Sequence, residues 1–102
     1  MVAGNDEMAL GAINALKAAG KLDKVKVLGF DGNNDAVAAV AKGDMVATVV
    51  QPIVDGTTMA IEQLHKVITT GETGVADEKQ AIDCVLVTKE NADKVDNFAV
   101  SE

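Results

Sequence analysis

The stretch that decides the fold is residues 25–50, which read VKVLGFDGNNDAVAAVAKGDMVATVV. An apolar run is followed by a polar turn, by a helical pattern rich in alanine and valine, and by a β-branched run that starts at Val46. β-Branched side chains favour strands because they pack well on a pleated surface. The order predicts a strand, a helix capped by Asn34 or Asp35, and a second strand.

The segment before this stretch predicts another helix. From Asp6 to Ala19 apolar residues recur at helical spacing, either Asn5 or Asp6 can cap the helix, and Gly20 is a typical stop. Residues 1–4 are predicted to be the end of a strand. Strand and helix therefore already alternate on the upstream side.

The segment after this stretch continues the alternation. Gln51-Pro52 ends the second strand because proline lacks a backbone donor, and residues 55–70 show the spacing of a third helix. Residues 72–80 are polar and predict a solvated loop, and residues 82–87 predict a last strand. The whole pattern predicts an α/β fold with a parallel sheet and right-handed crossovers.

Composition bounds the function. The 102 residues can form one modest core, and the net charge of −7 would repel nucleic acid, which we exclude as a partner. Apolar runs stay well below the roughly 20 residues that span a bilayer, and the N-terminus MVAGNDE does not resemble a signal peptide. The single cysteine, Cys84, lies in an apolar run and is predicted to be buried.

Candidate binding residues follow the predicted strands. Ligands of open parallel sheets bind outside the carboxyl ends of the strands, where this chain has Asn5, Asp31 and Gln51. A carboxylate only accepts hydrogen bonds, whereas each amide both donates and accepts, which suits a ligand with many hydroxyl groups. Each residue also has a structural role open to it: Asn5 as a helix cap, Asp31 as the start of a turn and Gln51 as an exposed strand end.

Other chemistry has little support in the sequence. The segment LGFDGNN does not match the glycine-rich dinucleotide motif, and no phosphate-binding loop of the Gly-Lys-Ser/Thr type occurs. The only histidine, His65, stands on the third helix without a cysteine or histidine at ligand spacing. We expect no metal, no cofactor and no enzymatic activity.

The segments NDEMALGA, LKAAGK, VLGFDG, DAVAAVAKGDMVATVVQ and VLVTKEN resemble, in this order and spacing, the C-terminal part of periplasmic sugar-binding proteins of the ribose-binding class. The resemblance implies a partial Rossmann-like lobe of the type I periplasmic binding protein fold, with a hinge-linked helix from the other lobe. It implies that residues 1–51 belong to the C-terminal lobe, that residues 52–82 form a hinge and a helix of the other lobe, and that residues 83–102 form a return hinge strand and a tail.

The resemblance also implies a ligand and partners. Asn5, Asp31 and Gln51 match the polar sugar contacts of the family, and Phe30 is a weaker candidate because neighbours on a strand point to opposite sides. The ligand would be a ribose-like pentose or a related monosaccharide, held together with a second lobe and delivered to an ABC permease. The intact parent would be periplasmic or a cell-surface lipoprotein, and the isolated chain is expected not to bind sugar.

Two alternatives stay open. The effector domain of a sugar-responsive LacI-type repressor resembles NDEMALGA and GFD equally well, although such repressors commonly carry a second Asp where this chain has Gly32. The third helix carries an apolar stripe, which we call the α3 stripe and which comprises Ile61, Leu64, Val67 and Ile68. In the isolated chain this stripe can fold back onto the sheet or pair with a second copy, and the hinge at Gln51-Pro52 favours the homodimer.

Overall fold

The computed structural model describes residues 1–101. Its elements are helix α1 (Asp6–Ala18), helix α2 (Asn34–Lys42), strand β1 (Thr48–Val50), helix α3 (Ile53–Thr70), strand β2 (Val85–Val87), a 3₁₀ helix (Ala92–Lys94), and strands β3 (Val95–Asp96) and β4 (Ala99–Val100). The three predicted helices and the strands that follow α2 and α3 are confirmed, whereas the predicted strands at residues 1–4 and 25–30 form only isolated bridges.

A parallel arrangement forms the centre of the molecule. Residues 27–31 lie between residues 1–3 on one side and residues 46–51 on the other, joined by parallel bridges such as Val2 to Leu28 and Leu28 to Ala47. Backbone hydrogen bonds run along both junctions. The segments around residues 2 and 28 are bridged positions rather than continuous strands, because few residues pair in register there.

The last strand departs from the predicted parallel order. β2 pairs with β1 in the antiparallel direction, with Val50 opposite Val85 and Thr48 opposite Val87. Only residues 85–87 of the predicted strand 82–87 are extended in a ladder, and Cys84 is exposed instead of buried. The apolar composition of AIDCVLV predicted a strand correctly, but it did not show where pairing to β1 begins.

Helices α1 and α2 cover this sheet and contact each other. Their inward faces, with Ala9, Ile13, Val37 and Val40, join Val27 and residues of the later strands in one apolar core. The cap of α1 is Asn5, whose Oδ1 accepts a hydrogen bond from the N–H of Met8 at 2.9 Å. The cap of α2 is Asn33 rather than Asn34 or Asp35, because the Asn33 side chain reaches the N–H of Ala36 at 2.8 Å.

Helix α3 projects from the core and accounts for much of the 60 Å length of a molecule that is 25 by 17 Å across. It begins at Ile53, two residues earlier than predicted, and ends at Thr70, with Gly71 as the predicted stop. None of its residues is buried. Loop 72–80 is solvated as predicted, and its Gln80 exchanges side-chain hydrogen bonds with Gln63 of α3.

The chain ends in a small hairpin. Asn97 and Phe98 connect β3 to β4, and both have positive φ, the geometry of the two-residue turn that matches the strand twist. Reciprocal hydrogen bonds between Asn34 and Asn97 hold this turn against the start of α2. Within residues 1–101, none of the helices combines the length and apolar composition that crossing a bilayer requires.

Candidate ligand-binding site

Asp31 and Gln51 come together at the carboxyl ends of two neighbouring strand segments. The N–H of Asp31 donates to the carbonyl of Val49 at 2.9 Å, and the N–H of Gln51 donates to the carbonyl of Asp31 at 3.3 Å. The Nε2 of Gln51 also donates to Oδ1 of Asp31 at 3.0 Å. Both side chains are half-buried, so each is held in place while part of it faces solvent.

Asn5 follows the neighbouring segment on the other side. The N–H of Ala3 donates to the carbonyl of Leu28 at 2.9 Å, which places residues 4 and 5 beyond the end of the same parallel set. The Oδ1 of Asn5 is engaged as the cap of α1, and among residues 1–101 its Nδ2 has no hydrogen-bond partner. The capping role of Asn5 therefore does not exclude a contact between its Nδ2 and a ligand, since the cap uses only Oδ1.

Phe30, the weaker candidate, is 38% exposed and directly precedes Asp31. The other aromatic residue, Phe98, lies in the C-terminal hairpin and lines a cavity together with Pro52, the residue after Gln51. A single exposed face such as that of Phe30 can cover one side of a sugar ring. Phe30 therefore adds an apolar surface next to the polar pair.

The sequence predicts Asp6 only as a possible helix cap, but its role in the structure is different. Its side chain is fully buried, and its Oδ2 accepts hydrogen bonds from the N–H groups of Gly32 and Asn33, both at 2.8 Å. Its Oδ1 accepts from the hydroxyl of Thr48 at 2.6 Å. In the sequence, Asp6 is marked only as an acidic residue directly after the helix cap and close to a strand end. That pattern does not distinguish a buried carboxylate from a solvated one.

Two glycines allow this close packing. A Cβ at Gly29 would lie 2.2 Å from Oδ1 of Asp6, and a Cβ at Gly32 would lie 2.2 Å from Cγ2 of Val50. Gly32 also has a φ of +79°, a conformation that side chains rarely adopt. Gly29 therefore makes room for the side chain of Asp6, and Gly32 lets the turn after Asp31 pack closely against β1.

The unengaged polar atoms of these three residues are the ones that a ligand could contact. Within the described part of the chain, Oδ2 of Asp31 and Oε1 of Gln51 accept no hydrogen bond, and Nδ2 of Asn5 donates none. Two acceptors, one of them charged, and one donor suit a neutral ligand with several hydroxyl groups. Cavities of about 430 and 380 Å³ lie elsewhere, against α2 and against α3, and neither includes these three residues.

Comparison with known proteins identifies the family. The family model for the periplasmic binding protein domain matches residues 1–73. The chain belongs to this family.

Two relatives of the chain are named as sugar import binding proteins. The D-apiose import binding protein of Paraburkholderia graminis is 51% identical over 98% of this chain and 31% of its own length. The ribose import binding protein of Escherichia coli is 44% identical over 84% of this chain and 28% of its own length. This domain therefore spans about a third of the length of the curated relatives that it matches, and its similarity to the ribose-binding class is confirmed.

A solved structure shows the same fold. An ABC transporter periplasmic solute-binding protein from Actinobacillus succinogenes, solved with bound D-allose, superposes with a TM-score of 0.82 at 34% identity, covering 92% of this chain and 32% of that one. The α/β architecture of the type I periplasmic binding proteins is thus confirmed for this domain. The relatives described are solute-binding transport proteins.

Proposed function

We propose that this domain forms one side of a monosaccharide site in a solute-binding protein that serves an ABC importer. The observation that carries the proposal is the hydrogen-bonded pair of Asp31 and Gln51 at the ends of adjacent parallel segments, with the cap residue Asn5 beyond the next one. Free donor and acceptor atoms on these three side chains would suit a polyhydroxyl ligand bound at this edge. Family membership supports the same conclusion.

The ligand would be a pentose or a related sugar. The relatives are named for D-apiose and ribose, and the solved structure holds D-allose. Sugar hydroxyl groups would accept from Nδ2 of Asn5 and donate to Oδ2 of Asp31, the strongest of the contacts because it is charged. The ring of Phe30 would cover part of one apolar face.

The division of the chain at the hinge is also a proposal. Residues 1–51, with β2, form the lobe that carries the polar residues, and residues 52–82 lead into a second lobe through α3. The absence of buried residues in α3 supports this division, because a helix with an apolar stripe is stable when that stripe contacts a partner. A periplasmic or cell-surface location and delivery to a permease follow from the same role, as does the absence of catalysis.

A chimera tests the function. Residues 1–102 replace the aligned segment of the Paraburkholderia graminis protein, and binding of D-apiose, ribose and D-allose is measured by calorimetry. We expect saturable binding of at least one sugar, and we expect Asp31→Ala to weaken it by about 30- to 1000-fold, since a desolvated sugar hydroxyl loses a charged acceptor.

The matched control is Asp44→Ala, which also removes a carboxylate. Asp44 forms an ion pair with Lys17 on the surface, away from the strand ends. We expect this variant to bind like the unsubstituted chimera. An Asp31→Ala chimera that binds sugar with an unchanged dissociation constant would remove Asp31 from the site.

Unlike the chimera, the 102-residue chain alone is expected not to bind sugar. One open edge with three polar side chains and one exposed ring leaves most of a bound sugar in water, so we expect no measurable affinity for ribose at millimolar concentration. We also expect two copies of the isolated chain to pair through the α3 stripe, since the described residues leave it uncovered. A saturable calorimetric signal from the isolated chain would contradict the first expectation.

A further inference from the structure

The carboxylate of Asp6 is a buried charge with a complete set of donors. Its side chain is 0% exposed, and burying a carboxylate is unfavourable unless hydrogen bonds replace its water. Three donors do so: two backbone N–H groups at 2.8 Å and the Thr48 hydroxyl at 2.6 Å. A helix cap at Asn5 already satisfies the start of α1, so this arrangement is not needed to begin the helix.

The donors lie next to the residues of the proposed site. Gly32 directly follows Asp31, and Thr48 lies in β1, which leads to Gln51. Asp6 itself touches neither Asp31 nor Gln51 through a hydrogen bond within residues 1–101. Asp6 thus links α1 to the turn after Asp31 and to β1. Asp31 directly precedes that turn and Gln51 directly follows β1, at the same edge of the sheet.

Asp31 has a conformation that needs such support. Its φ is +126°, in a region that residues with a side chain rarely adopt and that persists only when the surroundings hold it. Its own N–H and carbonyl are bonded to β1 and Gln51, which holds the residue from one side. The bonds from Gly32 and Asn33 to Asp6 hold the following peptides from the other.

We propose that Asp6 is the positioning residue of the sugar site: by anchoring Gly32 and Asn33 it keeps Asp31 in the strained conformation in which its carboxylate meets Gln51. The inference rests on the proposed function for its ligand, but the positioning of Asp31 can be measured without any sugar. Asp6 acts through Asp31 and makes no contact with the ligand.

The first test uses nuclear magnetic resonance on the 102-residue chain. In Asp6→Ala we expect the amide protons of Gly32 and Asn33 to lose their protection from exchange, and the side-chain amide signals of Gln51 to move to solvent-exposed positions. Gln51 does not contact Asp6, so a role limited to stability would leave its signals unchanged in the folded protein. Unmoved Gln51 signals in folded Asp6→Ala overturn the proposal.

A conservative variant provides the rescue. In Asp6→Asn the amide oxygen can still accept from Gly32 and Asn33 while its nitrogen donates to the Thr48 oxygen, so we expect an intermediate exchange rate and Gln51 signals near their original positions. Where Asp6→Ala does not fold, Asp6→Asn decides. Gln51 signals that move in Asp6→Asn while Gly32 and Asn33 keep their protection overturn the proposal, because the Asp31–Gln51 pair would then not depend on the anchoring of this turn.

The second test measures sugar affinity in the chimera, well below its melting temperature. We expect Asp6→Ala to raise the dissociation constant by about 10- to 100-fold and Asp6→Asn by less, with Asp44→Ala as the unaffected control. A folded Asp6→Ala chimera with unchanged affinity overturns the proposal. A chimera that binds no sugar in its unsubstituted form counts against the proposed function, and the Gln51 signals then decide whether Asp6 positions Asp31.

Discussion

Helices α2 and α3 carry similar apolar patterns but have opposite surroundings. Val40 of α2 is fully buried in the core, whereas Ile68 of α3 is 74% exposed. Both helices are followed by a glycine with positive φ, so their C-terminal signals are alike, although only α2 has a side-chain cap at its start. An amphipathic pattern therefore predicts a helix with one apolar face, but the segment that covers this face is determined by the rest of the fold.

The largest effect is expected from a substitution that affects only the packed unit, which comprises residues 1–50 and 85–96. Gly32→Ala places a Cβ 2.2 Å from Cγ2 and 2.7 Å from Cα of Val50, so β1 must move. We expect the free energy of unfolding to fall by about 3 kcal/mol or more. Chemical denaturation followed by circular dichroism measures this loss.

The control is Gly43→Ala, at the end of α2. Gly43 also has positive φ, but among residues 1–101 no neighbouring atom lies within 4 Å of the place that an alanine Cβ would take, so only backbone strain changes. We expect a loss of about 1 kcal/mol. Equal losses for the two glycine variants would show that the close approach of Gly32 to Val50 does not stabilise the packed unit.

Truncating one apolar side chain in each helix tests the difference between α2 and α3 directly. Val40→Ala removes methyl groups from the core and is expected to lower the free energy of unfolding by about 2 kcal/mol. Ile68→Ala removes more atoms from a position that is exposed within one copy of the chain, so below the concentration at which copies pair it is expected to change the free energy of unfolding by less than about 0.5 kcal/mol. A large loss for Ile68→Ala in thermal denaturation at that low concentration would mean that α3 is covered within a single copy.

Self-association tests what covers the α3 stripe in the isolated chain. Each Ile or Leu that becomes buried contributes about 1.5–3 kcal/mol, so pairing of two stripes is favourable. We expect light scattering at micromolar concentration to give twice the 10.5 kDa mass of the chain, and Leu64→Lys to return it to a monomer. A monomer mass for the unsubstituted chain, with a cooperative melt, contradicts the dimer.

The smallest effect is expected from the ion pair that links α1 to the segment after α2. Nζ of Lys17 and Oδ2 of Asp44 are 2.6 Å apart, but both side chains reach solvent. Solvent and salt weaken such pairs, so Asp44→Asn is expected to lower the free energy of unfolding by about 0.5 kcal/mol at most. Denaturation at low and high salt measures it, and a loss as large as that of Val40→Ala would contradict the view that apolar burial separates the two regions.

The strand-end residues could be predicted from the sequence, but the hydrogen bond between two of them could not. Asn5, Asp31 and Gln51 could be singled out because each follows an apolar run, and parallel segments place such positions at one edge. The hydrogen bond between Asp31 and Gln51 could not be predicted, because it depends on the register of segments 20 residues apart in the chain. Whether these residues bind a sugar stays a prediction.

Local patterns determined the helices, their glycine stops and the order of strands, because capping, spacing and β-branching act between residues close in sequence. Tertiary structure alone decided the antiparallel direction of β2, the exposure of Cys84 and the burial of Asp6. Each of these depends on contacts between distant segments, where one residue of register changes which face is covered. The carboxylate of Asp6 is buried because donors from two other segments converge on it, and no single stretch of the chain contains that information.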